Sequence, residues 1–404
     1  MKTKIVSFCV GFALVLCAVA LVSRKTNKAQ ARPEKQETAE CWSQSELEPC
    51  GVVTLKAEPK KIVTFNHNQN DMMETFGWGD RVIGTGYPKS FYYSFYKQLP
   101  GFDWKVRKET GNLQFFQYQP AGTFDKELFY KMAPDIIHID PNRLGMMKGW
   151  TMGDVEEIKT NIAPFFDNNA TMLGDDAVNR NWGVLSGQTY YTFEEYTRAF
   201  YKLYNQVKKG EALLDFIHAL EARVEAKIAK EPKPRVAILR WKGNEITRVG
   251  INTGIEHLQY RKLQVRDAFK GQEWKVQPKT QDKSTMMGRL DLEGLLAIDP
   301  DVMIMPYIIY TFENDNHIMA PPWKLFLTLK DDPVGQKLSA FKNNRVYPGG
   351  ILMQGPIFYC FQLEMAAKQI YPHIFGEYKQ DNIYPAEEQL FSRDELAAII
   401  KKEY

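Results

Sequence analysis

Residues 59–88 read PKKIVTFNHNQNDMMETFGWGDRVIGTGYP and contain the pattern from which the fold can be inferred. Lys61–Phe65 is an apolar run rich in β-branched residues, which predicts a strand. A polar loop follows it, then a helical segment, Asp71–Phe76, and a second strand, Arg81–Gly84. A strand, a helix and a second strand in this order predict a βα unit with parallel strands.

The same alternation continues along the chain. Further strands are expected at Pro134–Ile139, Arg235–Leu239 and Pro300–Met305. Helical stretches separate them, so the chain is expected to be an α/β protein with parallel-rich sheets. We place one lobe at residues 52–209 and a second lobe at residues 232–404.

A long helix is expected between the two lobes, at residues 210–231. Apolar residues recur at helical spacing from Glu211 to Lys230, with Gly210 before them and prolines after them. A helix of about 20 residues reaches about 30 Å, the width of a domain. We therefore expect a single long interdomain helix that joins the lobes; a surface helix of one lobe is the alternative.

A short repeat supports two lobes built on one plan. Glu127 precedes the dipeptide Pro134-Asp135 by seven residues, and Glu293 precedes Pro300-Asp301 by the same distance. In both places a short helical stretch leads into an apolar strand. The repeat predicts that each lobe presents a glutamate at a comparable position.

The N-terminal segment has the features of an export signal. Residues 1–31 carry five basic side chains and no acidic one, around an apolar run at Ile5–Val22. This is the pattern of a secretory signal peptide. The run is also long enough for a retained membrane anchor, and Cys17 offers a site for lipidation, so cleavage, anchoring and lipidation all stay open. Either way, the rest of the chain is expected in the periplasm or on the extracytoplasmic face of the membrane.

Residues 32–51 have the polar, charged composition of a linker. Cys41 and Cys50 flank a short polar segment within it. In an oxidising compartment these two cysteines are expected to form a disulfide. Cys360 has no such neighbour, and we expect it to be unpaired and buried in an apolar helix.

The composition is that of a globular protein. The chain has 404 residues, 44% hydrophobic and 25% charged, which excludes disordered, collagenous and multi-span membrane proteins. Its 52 basic and 49 acidic residues give a formal charge of +3. Loss of the five basic leader residues would change +3 to −2. No nucleic-acid partner is expected, because nucleic-acid-binding domains carry a strong basic excess.

Motifs of common enzyme classes are absent from the sequence. It contains no GxxxxGK[ST] phosphate loop, no GxSxG, no HExxH and no CxxC. Its six histidines are scattered without the spacing of metal ligands. We therefore expect no catalytic residues, no metal site and no intrinsic cofactor. An exported metal-dependent enzyme is the alternative from a different class.

Polar and aromatic side chains follow several predicted strands, which is where ligands bind in open α/β sheets. Tyrosine and tryptophan can line a cleft for a bulky ligand, and arginine suits an anionic one. For any single aromatic residue, packing in the core is the alternative. The candidate ligand-binding residues are His67, in the polar loop after the first strand, and Tyr87, Tyr92, Tyr93, Arg143, Arg240, Trp241, Tyr307 and Tyr310.

Residues 59–88 resemble the opening of the substrate-binding proteins of ABC importers for ferric siderophores, haem and cobalamin. The segments ELFYKMAPDIIHI, LDLEGLLAIDPDVMIM, AFKNNRVYPGG and LEMAAKQIYPHIFG match the family in the same order. The resemblance covers roughly residues 58–376. It implies two α/β lobes joined by one rigid helix, with the ligand held between them.

The resemblance also implies a partner and a class of ligand. In the family, one glutamate of each lobe docks onto arginines of the permease, and Glu127 and Glu293 occupy the matching positions. We expect a monomer that delivers a small metal chelate to an ABC permease. A ferric siderophore is the leading ligand, and haem or cobalamin are alternatives.

Two features set limits to the resemblance. The first loop, NHNQND, departs from the commoner Ser-Pro-rich form of the family, so no ligand residue of the family is carried over. A membrane-tethered sensor of a metal complex, built on the same fold, is a further alternative because the N-terminal segment can act as an anchor.

Overall fold

The computed structural model describes residues 43–47, 51–55, 57–64, 67–85, 93–96, 98–102, 114–115, 131–139, 171–174, 193–242, 245–249, 258–270, 277–278, 288–305, 327–349 and 355–404. All of them belong to one structural unit, Trp42–Tyr404. The strands are β1 (Ser43–Leu47), β2 (Gly51–Leu55), β3 (Ile62–Thr64), β4 (Val82–Thr85), β5 (Gln114–Phe115), β6 (Ile136–Ile139), β7 (Thr171–Gly174), β8 (Arg235–Lys242), β9 (Glu245–Val249), β10 (Arg266–Asp267), β11 (Gln277–Pro278), β12 (Gly288–Leu290), β13 (Val302–Met305) and β14 (Val346–Pro348). The α-helices are α1 (His67–Thr75), α2 (Tyr93–Tyr96), α3 (Phe193–Leu203), α4 (Val207–Ile228), α5 (Leu258–Lys262), α6 (Leu292–Ile298), α7 (Ser339–Lys342), α8 (Pro356–Ile370), α9 (Pro372–Phe375) and α10 (Arg393–Lys401). Short 3₁₀ helices lie at Gly79–Arg81, Thr328–Lys330, Gly335–Lys337 and Ala386–Glu388.

The first sheet consists of five parallel strands in the order β5-β4-β3-β6-β7. All three residues of its central strand, β3, are buried, as is usual where helices cover both faces of a parallel sheet. The chain builds the sheet outward from β3, first to β4 and β5, then to β6 and β7 on the other side. This is a doubly wound sheet, and it confirms the expected α/β class.

The second sheet combines parallel and antiparallel strands. β8 pairs in parallel with β10 and β13, and β13 pairs in parallel with β14. β8 also forms an antiparallel hairpin with β9, and β12 and β11 extend the sheet beyond β9. The parallel strands were expected, whereas the antiparallel extension was not.

The hairpin extends β8 beyond its predicted end. The strand predicted at Arg235–Leu239 continues to Lys242, where it still pairs with β9. Only residues 243–244, Gly-Asn, connect the two strands, and this dipeptide is a sequence signal for a two-residue hairpin. Arg240 and Trp241 therefore lie within a paired strand and not in a loop that follows it.

Residues 43–47, which were expected to belong to a linker, form β1. This strand pairs antiparallel with β2, and both strands pack against α3. The β-branched residues of β2 favour extended structure, and pairing with them orders a segment whose composition alone is that of a linker.

The disulfide predicted between Cys41 and Cys50 lies outside the described residues. The hairpin of β1 and β2 places Ser43 and Gly51 at its opposite ends, about 14 Å apart along the strands at about 3.4 Å per residue. The Cα atoms of a disulfide are about 4–7 Å apart. The bond would therefore require the chain before Ser43 to turn back along the hairpin, and the pairing stays a prediction.

The long helix α4 begins and ends three residues earlier than the expected range, 210–231. Gly210 lies in its first turn instead of before it. A Cβ atom on Gly210 would come within 2.5 Å of the ring of Tyr201, so the glycine permits close packing of α4 on α3. α4 also packs against α5, α8 and α10; its role as a single interdomain connection stays a prediction. Neither α4 nor any other helix in the described ranges is long and apolar enough to cross a membrane.

One hydrophobic core connects both sheets. It contains Ile62 and Ile136 of the first sheet and Val236 and Ile304 of the second, all with no exposed surface. The apolar face of α4 and most apolar residues of α8, which is buried along its whole length, belong to the same core. A second apolar cluster, with residues of α6 and α7, covers the opposite face of the second sheet. Cys360 lies in α8, buried and unpaired, as expected.

The two Pro-Asp motifs have the same structure. The carboxylate of Asp135 accepts hydrogen bonds from two backbone N–H groups just before β3 (2.7 and 2.9 Å). The carboxylate of Asp301 accepts one from the first N–H group of β8 (2.7 Å). Ala133 and Asp299, the residues before the prolines, both have a φ of 43°. The sequence repeat is therefore also a structural repeat.

Candidate functional site

In the first sheet, the strand order reverses between β3 and β6, because the chain continues to β4 on one side and later to β6 on the other. Ligands bind at such switch points in open α/β sheets. α1 begins at His67, three residues beyond β3, although the side chain of His67 lies outside the described part of the structure. Arg143, four residues beyond β6, is also outside it. Both candidates thus follow the strands that flank the switch point.

The second sheet has its switch point between β8 and β13. β10 lies on one side of β8 and β13 on the other. Arg240 and Trp241 belong to the carboxyl-terminal half of β8, and their side chains are outside the described ranges. Tyr307 and Tyr310 follow the end of β13, also outside those ranges. Of these four candidates, two therefore lie in β8 and two follow β13, the strands on either side of this switch point.

The other three candidates are tyrosines that follow β4. Tyr93 is the first residue of α2, and its side chain is not among the described ones. Tyr87 and Tyr92 lie outside the described residues. Contact of all nine candidates with a ligand stays a prediction. Arg240 and Trp241 lie in the carboxyl-terminal half of β8, and the other seven follow β3, β4, β6 or β13 in the chain.

The residues His67–Asn70, expected to belong to a loop, form the beginning of α1. The helix runs over His67–Thr75 and not from Asp71 onward. In a buried contact, the hydroxyl group of Thr64, at the end of β3, donates to the side-chain oxygen of Asn70. The polar residues of this segment are therefore partly packed against the end of the strand, which explains a helix that composition alone did not predict.

Asp71 is a buried acidic residue that sequence reasoning did not single out. Its Oδ1 accepts a hydrogen bond from the hydroxyl group of Tyr96 (2.5 Å). Its Oδ2 accepts from the backbone N–H groups of Ile357 (2.8 Å) and Phe358 (3.3 Å). A side chain of α1 thus caps the first turn of α8. We call Asp71, Tyr96 and these two amides the Asp71 junction.

The Asp71 junction is closely packed, and burial and hydrogen bonding have opposite effects on the pKa of Asp71. A Cβ atom on Gly355, just before α8, would lie 2.2 Å from Oδ2 of Asp71. Burial raises the pKa of Asp71 to about 7, although the hydrogen bonds from Tyr96 and from the two amides of α8 lower it. The carboxyl group therefore changes its charge near neutral pH, inside the protein.

A second polar contact fixes α8 to α4. The hydroxyl group of Tyr359 donates to Oε1 of Glu221 (2.5 Å), and Oε2 of Glu221 pairs with Lys262 of α5 (2.8 Å). Burial, together with the neighbouring carboxylate, raises the pKa of Tyr359 well above its usual value. The phenol therefore stays protonated and keeps donating, so the first turn of α8 is held by polar contacts from both α1 and α4.

Glu293, one of the two predicted docking residues, is exposed in the first turn of α6. Asp291 caps this helix by accepting a hydrogen bond from the N–H group of Gly294 (2.6 Å). The other predicted docking residue, Glu127, lies outside the described residues. The exposed carboxylate of Glu293 is therefore available to a partner.

One cavity of about 330 Å³ lies between α4 and residues 374–390. It is lined by Leu220, Arg223, Val224, Lys227, Ile374, Phe375, Gly376, Glu387, Glu388, Gln389 and Leu390. None of the nine candidates lines it. Within the described ranges, no three His, Cys, Asp or Glu side chains come together as a group that could hold a metal ion.

No family model and no curated protein sequence matches the chain. Solved structures, however, share its fold. A periplasmic binding protein from Veillonella parvula is 15% identical, with 81% of this chain and 90% of that chain covered, at a TM-score of 0.55. The petrobactin-binding protein of Bacillus subtilis is 15% identical, with 82% and 97% covered, at a TM-score of 0.52.

A protein of an ABC-type Fe³⁺-hydroxamate transport system from Saccharomonospora viridis is also similar. It is 15% identical, with 80% of this chain and 96% of that chain covered, at a TM-score of 0.50. These similarities show that the chain has the two-lobed α/β fold of such periplasmic binding proteins, as the sequence resemblance implied.

Proposed function

We propose that the chain is an extracytoplasmic binding protein, without catalysis of its own, that captures an iron chelate between two lobes and delivers it to an ABC importer. The observation that carries this proposal is the position of the nine candidates in the chain, in the carboxyl-terminal half of β8 or after β3, β4, β6 or β13, which include the strands beside both switch points. The shared fold supports it, because the similar structures are binding proteins, two of them named for petrobactin and for Fe³⁺-hydroxamate.

A ferric siderophore is the ligand that we propose first. Arg143 and Arg240 would pair with the anionic oxygens of the chelate, because guanidinium groups form charge-assisted hydrogen bonds with such acceptors. Trp241 and the tyrosines would pack against its flat groups. Haem, with His67 or a tyrosine as iron ligand, and cobalamin are the alternatives.

Delivery to the importer would use Glu127 and Glu293. Two carboxylates at equivalent places of the sequence repeat would suit a partner with two matching basic sites, and each contact would be modest in strength. Glu293 is exposed in a helix that precedes a Pro-Asp motif. The equivalent structure of the Asp135 and Asp301 motifs supports an equivalent place for Glu127.

The docking step can be tested in cells that depend on this protein for iron uptake. The variant Glu127→Ala/Glu293→Ala should lose uptake of the ferric chelate and keep the affinity of the wild type, because only the contact with the permease is removed. Glu395→Ala is a matched control, since Glu395 is exposed in the first turn of another helix, α10. Full uptake by the double variant would refute the docking assignment. If the protein is instead a membrane-tethered sensor, none of these variants should change uptake.

A further inference from the structure

The cavity between α4 and residues 374–390 has the features of a small-molecule site. Its volume of about 330 Å³ is within the range of about 300–1,000 Å³ in which such sites occur. One wall is a stripe of α4, where the lining residues recur at helical spacing; they are Leu220, Arg223, Val224 and Lys227. The opposite wall consists of residues 374–376, at the end of α9, and residues 387–390. We call this cavity the α4 groove.

The floor of the α4 groove is the surface of the hydrophobic core. Leu220, Val224 and Phe375 belong to the core and are buried. Ile374 and Leu390 are partly buried and pack against it. An apolar group in the groove would therefore leave water and contact the core, which favours binding.

Cations stand beside this apolar floor. Arg223 and Lys227 are exposed one turn apart on α4, and neither forms an ion pair with another residue that the structure describes. The ammonium group of Lys227 lies 5.6 Å from the ring centre of Phe375. A third cation lies behind Gly376, because a Cβ atom on this glycine would be 3.4 Å from the ammonium group of Lys368.

The acidic residues of the groove balance these cations only in part. Glu388 is paired with Lys379 (2.8 Å). Glu387 is exposed on the wall opposite α4 and has no ion-pair partner within the described ranges. The side of the groove formed by α4 therefore presents a positive potential next to an apolar floor.

We propose that the α4 groove binds a small aromatic carboxylate. The guanidinium fork of Arg223 can donate two parallel hydrogen bonds to a carboxylate, and Lys227 adds a positive charge one turn later. The ring of the ligand would lie on the floor and pack against Phe375, because a pair of aromatic rings gains more than their buried area alone provides. The same cations disfavour an aromatic amine.

This site goes beyond the proposed function. Its lining residues belong to α4 and to the segment that follows α8, whereas the nine candidates for chelate binding lie in β8 or follow other strands. A ligand that contacts both α4 and this segment would also stabilise the folded chain, since it binds a surface that unfolding destroys.

The site is tested with β-naphthoate, which is titrated into isotope-labelled, chelate-free protein and followed by the NMR signal of the Gly376 amide. A saturable shift is expected, because Gly376 lines the groove. Arg223→Gln should weaken binding about tenfold, the effect of losing a charge-assisted hydrogen bond. Glu387→Gln should tighten binding, because the carboxylate on the opposite wall repels an anion. The alcohol β-naphthylmethanol, which has the same ring without the charge, should bind about tenfold more weakly than the acid.

Lys208→Gln is the matched control, since Lys208 is exposed at the other end of α4, and it should bind β-naphthoate as the wild type does. Arg223 and Glu387 are exposed, so their variants are expected to fold. Lys227→Gln is the test variant if Arg223→Gln does not fold, and its loss should be smaller, because an ammonium group forms no bidentate pair.

Absence of a saturable shift at Gly376 would overturn the site. Unchanged affinity in Arg223→Gln, or in Lys227→Gln in its place, would also overturn it, because the carboxylate would then bind elsewhere. Equal affinity for the acid and the alcohol would overturn the anionic class of ligand, and equal affinity for octanoate would overturn the aromatic class. These outcomes do not depend on whether the protein binds a ferric chelate, so the site and the proposed function can fail separately.

Discussion

Arg393 and Glu364 form an ion pair inside the hydrophobic core, with only 5% and 1% of their side chains exposed. The guanidinium group lies 3.9 Å from the ring centre of Phe391 and 4.4 Å from that of Phe361. Glu364 also accepts a hydrogen bond from the backbone N–H group of Leu390 (2.6 Å). Burial raises the pKa of Glu364, and Arg393 opposes this effect. The main effect of Arg393 is therefore to compensate the charge of the buried Glu364 carboxylate.

Removing the arginine alone should be costly. Arg393→Met is expected to lower the free energy of unfolding by about 3–5 kcal/mol, because it leaves a buried carboxylate without its cation. The double variant Arg393→Met/Glu364→Gln should cost less, because no charge remains. Arg198→Met, in an exposed pair with Glu211, is the control and should cost less than about 1 kcal/mol. Urea unfolding measures all three, and equal losses for the two single arginine variants would contradict the interpretation.

Single residues were predictable from the sequence where local composition determines their environment. Cys360 is buried in an apolar helix, as expected. Met72 and Met73 are fully buried as well. The roles of Asp71 and Glu364 were not predictable, because their partners lie far away in the chain. The signal that was available for Asp71 is an acidic residue directly before a buried pair of methionines.

At the scale of elements, Lys209 joins three helices. Its ammonium group donates to the carbonyl oxygens of Phe76, just after α1, and of Ile400, near the end of α10, both at 2.8 Å. The carboxyl-terminal ends of helices attract cations. Burial nevertheless lowers the pKa of Lys209 to about 8, because the charged ammonium group loses part of its hydration.

This buried amine makes the stability of the fold depend on pH. Between pH 8 and the ordinary pKa of 10.5, the unfolded chain binds more protons at Lys209 than the folded one, so stability rises with pH. Lys209→Met should lose about 1–3 kcal/mol at pH 7, because two carbonyl groups lose their donor. Its deficit relative to the wild type should grow from pH 8 to pH 10.

Thermal or urea unfolding at several pH values measures the difference in the free energy of unfolding between the wild type and Lys209→Met. The contributions of other groups that titrate in the same range are common to both proteins and cancel in this difference. Lys208→Met is the matched control, since Lys208 is the exposed neighbour on the same helix. A constant difference between wild type and Lys209→Met from pH 7 to pH 10 would show that the amine is not the group that titrates.

Strands were predicted more accurately than helix starts. The strands expected at Lys61–Phe65 and Pro300–Met305 are found within one or two residues, as β3 and β13, because continuous apolar, β-branched runs suit buried parallel strands. The predicted start of α1 was wrong, since residues 67–70 have the composition of a loop but are helical beside the end of β3. β1 and β9 were missed because each depends on pairing with a neighbouring strand.

At the scale of the molecule, the two sheets repeat one plan around a shared core. The Asp135 and Asp301 motifs hold the first strand of each sheet in the same way, and this repeat was visible in the sequence. The return of α8 and α10 to α1 and α4 was not visible, because helix-to-helix contacts across the chain leave no local pattern. These contacts join both parts of the chain in one structural unit.

The proposal that the chain carries an iron chelate can be decided by the visible spectrum and the iron content of protein purified from its native host. We predict the broad charge-transfer band of a ferric siderophore and iron equimolar with the protein. A Soret band would identify the ligand as haem instead of a siderophore, and a corrin spectrum would identify it as cobalamin. A protein that is colourless and iron-free, and that stays so after incubation with ferric siderophores, haem and cobalamin, would contradict the proposed function.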